Sequence, residues 1–124
     1  MNKSYKDLIV WQKSMDLVIV LYELVGQFPT EEKYGLSSQM KRAVLSIPSN
    51  IAEGSRRRTK KDFAHFLRIS YGSGSELETQ IEASRRLPFG KNLDYRKVDS
   101  LMDEVMRMLN KMEESQRSEL QTTN

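Results

Sequence analysis

Apolar side chains return every third or fourth residue through four stretches of this chain, and the gaps between them carry proline, glycine or dense charge. That spacing lines up each series on one side of an α-helix. A length of 124 residues supports one modest core and a single domain. Four helices with short connections therefore predict an all-α protein, an antiparallel up-down-up-down four-helix bundle over residues 1–116. Residues 117–124 carry almost nothing to bury and are expected to form a flexible C-terminal tail.

The first helix is predicted to open near Ser4 and Asp7, which have capping-box spacing, and to run to about Gln27. It is apolar on two sides. Leu8, Trp11, Met15, Val18, Ile19, Tyr22 and Val25 form one row, and Val10, Leu17, Leu21, Leu24 and Phe28 lie beside it. Such width exceeds the stripe of an ordinary surface helix. It is read as burial both inside the subunit and against a neighbouring one, with Trp11, Leu17, Leu21 and Leu24 as the expected oligomer contacts. A helix central to its own bundle would show the same pattern.

The second helix carries Leu36, Met40, Ala43, Val44, Ile47 and Ile51 at helical spacing, with Pro48 in the middle. Proline removes a backbone donor and crowds the carbonyl four residues back, at roughly 3 kcal/mol in a helix interior. The helix either kinks there or stops and restarts. Continuation of the apolar series through Ile51 favours a kink, and Gly54 is the expected exit. The third helix opens at Thr59–Asp62 and runs to Leu87. Its run Ser70 to Ser75 includes Gly72 and Gly74, poor helix formers that mark either a loop or a close helix contact. An apolar rhythm that stays in phase on both sides favours close packing. The fourth begins near Asp94, with Val98, Val105 and Met112 at seven-residue intervals.

Catalytic chemistry finds no foothold. There is no cysteine and one histidine, His65, preceded at i−3 by Asp62. That falls short of the two Glu-x-x-His motifs of a di-iron bundle, and of a multi-histidine zinc site. No phosphate-loop motif is present, and no serine acquires a triad by spacing. Glu76, Glu78 and Glu82 are read as a solvated face. No enzyme, cofactor or metal is therefore expected. The opening MNKSYKDL lacks the apolar core of a signal peptide, and the segment after it is too polar for a membrane span, so a cytoplasmic protein without a membrane partner is predicted.

Charge supplies the one functional cue. The net charge is +3, yet Glu31 to Lys61 hold eight cations against three anions. From Asp94 onward seven anions outnumber five cations. Arg56, Arg57 and Arg58 precede the third helix, and Lys60 and Lys61 occupy its first turn, where the backbone already presents partial positive charge. Arginine, lysine and a helix N-terminus together suit phosphate. Lys41, Arg42 and Arg68 are expected to extend the patch. A solvated loop, partly neutralised by Glu53 and Asp62, is the plainer account.

Three blocks carry a resemblance: DLIVWQKSMDL (Asp7 to Leu17), YGLSSQMKRAVLSIPSNIAEGSRR (Tyr34 to Arg57) and FLRISYGSGSELETQIEASRRL (Phe66 to Leu87). They resemble the four-helix-bundle family encoded within intervening sequences of bacterial 23S ribosomal RNA genes. The resemblance implies an up-down bundle assembling into a ring-like homopentamer, and makes Pro48, Asn50, Glu53 and Gly54 structural landmarks, with Asn50 or Glu53 as interface polar groups. That family is similar to the accessory proteins of diversity-generating retroelements, basic pentamers that bind nucleic acid and partner a reverse transcriptase. The leading expectation is a non-enzymatic oligomeric scaffold that binds RNA or other nucleic acid through phosphate contacts. The alternative is a protein–protein interaction scaffold that binds none.

Overall fold

The structure is a computed structural model and describes residues 4–122. Four long helices make the fold: α1 (Ile9–Val25), α2 (Leu36–Ser55), α3 (Lys60–Arg86) and α4 (Arg96–Thr122), with no strand among the described residues. The all-helical class expected from periodicity holds. α1 packs against α2 and α4, and α3 packs against the same two helices. Leu17 and Leu21, Met40 and Ile47, Leu67 and Leu77, and Val105 and Leu109 bring all four into one core.

Ser4 and Asp7 do form the capping box. Asp7 accepts from the Ser4 N–H at 3.2 Å, and Ser4 Oγ accepts from the Lys6 N–H at 3.1 Å. They cap a short 3-10 turn, Tyr5–Asp7, and α1 starts only after Leu8 and ends at Val25. The two apolar rows of α1 separate only in part, because Val18 and Val25 of the first row also join the core. Leu17 and Leu21 are fully buried, and Leu24 is 3% exposed, all within the protomer's own core. These three cannot be subunit contacts, because the interior already uses their whole surface. The other row keeps Ile19 59% and Tyr22 38% exposed, with Trp11 and Met15 half-buried.

α2 runs unbroken through buried Pro48, so the stop-and-restart alternative fails. Packing carries the lost backbone bond: Val44, Ile47 and Ile51 beside it are fully buried. Ser70 Oγ donates to the Ile47 carbonyl at 2.8 Å, fastening α3 across the same turn. Nearby, the Ser46 and Ser73 hydroxyls meet at 2.8 Å, and Asn50 Nδ2 donates to Ser46 Oγ at 2.9 Å. Asn50 is thus held within the chain.

Gly54 is not the exit expected of it. It lies inside α2, and a Cβ there would come 2.7 Å from Phe66 Cβ and 3.0 Å from Phe63 Cδ1. Its role is close approach of α2 to α3. Gly74 does the same between α3 and α4, against the Met106 thioether, inside an α3 that never breaks. Gly72 differs, with open space where a Cβ would stand. Close packing therefore explains one glycine of that pair.

The α3–α4 connection is well tied. Arg85 makes a two-pronged contact with Asp99 at 2.7 and 3.0 Å, and Tyr95 donates its hydroxyl to the Gly90 carbonyl at 2.8 Å. Arg96 binds Asp94 and holds its carboxyl well below the usual carboxylate range. A depressed carboxylate contributes its full stability above its unfolded pKa and loses it progressively as pH falls to the folded value. That contact therefore outlasts the acid range in which a free aspartate titrates. α4 continues to Thr122, so the tail expected from 117 is helical as far as 122, and residues 123–124 lie outside the described residues. Arg117 grips buried Glu113 at 2.9 Å and secures this extension.

Gly54→Ala and Gly72→Ala should move stability in opposite directions. The first forces Phe66 and Phe63 aside, a strain of about 1–3 kcal/mol. It outweighs the helix-propensity gain of up to about 1 kcal/mol, which Gly72→Ala collects without opposition. Urea unfolding of both variants checks the pair.

Candidate nucleic-acid interface

The basic cluster sits in the four-residue connection between α2 and α3 and in the first turn of α3. Every residue from Arg56 to Asp62 is exposed. Thr59 is the N-cap of α3, and its Oγ1 accepts from the Asp62 N–H at 3.1 Å. One of the helix-end donors that an anion would seek is thereby taken. The two ends that meet here also differ electrically. Arg56 caps the C-terminus of α2, where partial negative charge favours cations, whereas Lys60 and Lys61 stand at an N-terminus that disfavours them. Only the lysines sit against the dipole.

The arginines are arranged over rings. Arg56 Cζ lies over Tyr5, 4.9 Å from its centroid, and Tyr5 stands edge-on to Trp11 at 5.2 Å. Arg57 Cζ lies over Phe66 at 4.7 Å. Arg57 also pairs with Glu53 at 3.3 Å, both side chains about half exposed. Glu53 is therefore engaged within the chain. Arg58 and Lys61 meet no carboxylate among the described residues. Nothing in the sequence spacing joined Tyr5 or Phe66 to these arginines, because the pairs form only when the 3-10 turn and the helices are brought together by the fold. Basic charge beside scattered aromatics was the available signal.

The patch is smaller than the sequence implied. Lys41 precedes Arg56 by fifteen residues on one helix, about 22 Å at 1.5 Å per residue, and Arg42 is scarcely nearer. Lys41 Nζ instead rests 5.0 Å from the Tyr22 centroid. Arg68, exposed and eight residues beyond Lys60, lies about 12 Å along α3 and borders the cluster. Among the described residues no group of three His, Cys, Asp or Glu side chains is placed to hold a metal ion. His65 is exposed, its ring 5.7 Å from Phe66. No described helix is long and apolar enough to cross a membrane.

A sequence model of the family described as 23S rRNA-intervening sequence protein matches residues 6–111, which is most of the chain. The chain belongs to this family. No curated protein matches it. The region shared with the 23S rRNA-intervening sequence proteins spans the whole basic connection together with Phe63 and Phe66. Tyr5 stands one residue ahead of it, and the Glu113–Arg117 pair follows it.

The lysines of the first α3 turn give a direct electrostatic test. Lys61→Glu should raise stability by about 0.3–1 kcal/mol at low ionic strength, and added salt should erase the gain. Thr59→Ala should cost about 1 kcal/mol by releasing the Asp62 N–H. Thermal melts at two salt concentrations measure both.

Proposed function

We propose that the protein is a non-enzymatic, oligomeric helical scaffold in the cytoplasm, binding RNA or other nucleic acid through phosphate contacts at Arg56, Arg57, Arg58, Lys60 and Lys61. The observation carrying this reading is the exposed arginine triplet packed into a four-residue connection. Arg57 is not withdrawn by its pair with Glu53. An exposed ion pair of this spacing is worth about 0.3–0.5 kcal/mol, little enough for a more highly charged phosphate to compete for the same guanidinium. Arg68 adds to the rim, while Lys41 and Arg42 form a separate basic spot. Such contacts position a nucleic acid without reading its bases, so sequence preference is weak.

The bundle is read as antiparallel. Tyr5 ahead of α1 meets Arg56 at the end of α2, whereas Tyr22 late in α1 meets Lys41 early in α2, and this crossing order supports that topology. A kink at Pro48 belongs to the same reading. A ring-like homopentamer repeats the basic cluster five times, so that weak contacts add through effective concentration. The subunit contact moves from the buried leucines to the outer strip of α1, with Trp11, Met15, Ile19 and Tyr22, extended by Leu45 of α2, which is 42% exposed. Leu45 stands one turn after Lys41, and Ile19 one turn before Tyr22, so the Tyr22–Lys41 contact sets these two exposed residues at a similar level of the bundle. This strip also favours the second reading, a protein–protein scaffold that leaves nucleic acid unbound.

Replacing Arg56, Arg57 and Arg58 together by alanine should flatten the salt dependence of binding. The log–log slope should lose about 0.7 for each single-strand phosphate no longer neutralised, with helicity unchanged. Affinity that persists in this variant would exclude the patch. For assembly, Ile19→Glu and Leu45→Glu should each reduce the solution mass toward that of one chain, read by light scattering, whereas Gly72→Ala serves as an assembled control.

A further inference from the structure

We infer that the basic end takes single-stranded rather than duplex nucleic acid, stacking unpaired bases on the guanidinium groups of Arg56 and Arg57, a choice that rests on the nucleic-acid reading of the same surface. Phosphate binding alone does not require a cation to lie over an aromatic ring. These two are held. Arg56 Cζ sits 4.9 Å from the centre of Tyr5, and Arg57 Cζ sits 4.7 Å from the centre of Phe66. Both rings are half-buried; Tyr5 is supported by the edge contact with Trp11 at 5.2 Å, and Phe66 is anchored through its Cβ, which packs against Gly54. Both arginines are exposed. Each guanidinium carbon thus lies over a ring on a residue that stays exposed, with Arg57 also reaching Glu53 at 3.3 Å.

A planar cation fixed on an aromatic ring is a platform for a second planar group. Unpaired bases stack on aromatic side chains and on guanidinium planes, and they do so with little regard to sequence, since every base has a π-face. Adjacent Arg58 and Lys61 remain for the phosphates that separate the bases. A duplex keeps its base faces within its own stack, so it meets the same surface through phosphates and groove edges. Stacking on the guanidinium groups is then closed to it.

Full-length protein is titrated with a short labelled oligouridylate, an abasic strand of equal length and a duplex, following anisotropy together with emission from Trp11, the single tryptophan. Oligouridylate should bind roughly tenfold more tightly than the abasic strand, the size of one stacked base. Trp11 emission should change with oligouridylate and stay constant with the abasic strand. The double variant Arg56→Lys, Arg57→Lys keeps both charges, so its salt slope should match wild type while the preference for oligouridylate over the abasic strand disappears. Equal affinity for the two strands, tighter binding of the duplex, or a lysine variant that keeps the preference would each overturn the stacking proposal and leave phosphate binding standing. Failure of all three probes to bind in a salt-dependent way would instead remove the nucleic-acid reading itself.

Discussion

How closely α2 and α3 approach governs what this surface can present. Gly54 lets Phe63 and Phe66 lie directly on the α2 backbone, where any side chain would stand in the way. With the helices that near, four residues suffice to join them. Three of the four are arginines, so the connection has no room to hide its charge and no apolar residue to fold inward. Phe66 then has two duties, sealing the seam with its Cβ and supporting Arg57 with its ring. Packing and charge are therefore set by the same contact.

The local electrostatics are divided rather than uniformly hostile to cations. Arginines at the α2 C-terminus gain from the helix dipole, and lysines at the α3 N-terminus lose by it. Thr59 offsets part of that loss by capping α3. What makes the cluster unusual is its density and exposure, combined with rings that restrain two of its members. A solvated loop chosen for solubility alone would need charge and would have no use for Tyr5 beneath Arg56.

The fold was largely legible because helical periodicity is local. Spacing of apolar residues located all four helices, and phase continuity across Ser70 to Ser75 identified a single α3. Pro48 also kept its helix, since the apolar series on either side outweighed one missing donor. Assignments that depended on which neighbour a face meets were less secure. Leu17, Leu21 and Leu24 carry no mark separating a buried core from a subunit contact, and only packing against α2 and α4 reveals their place. Lys41 and Arg42 joined the patch on charge alone, although a helix carries them about 22 Å from it. The ring supports for Arg56 and Arg57 are long-range pairs in sequence, beyond the reach of any local pattern.

The α3–α4 seam carries a chemical vulnerability of its own. Gly74 leaves only enough space for the sulfur of Met106, which is 6% exposed. Oxidation to the sulfoxide would add a polar oxygen to a sulfur packed against the Gly74 backbone. An oxidant reaches that sulfur chiefly when the helices part, so the modification, once made, obstructs their return. The glycine that permits tight closure thus also makes closure sensitive to a single atom.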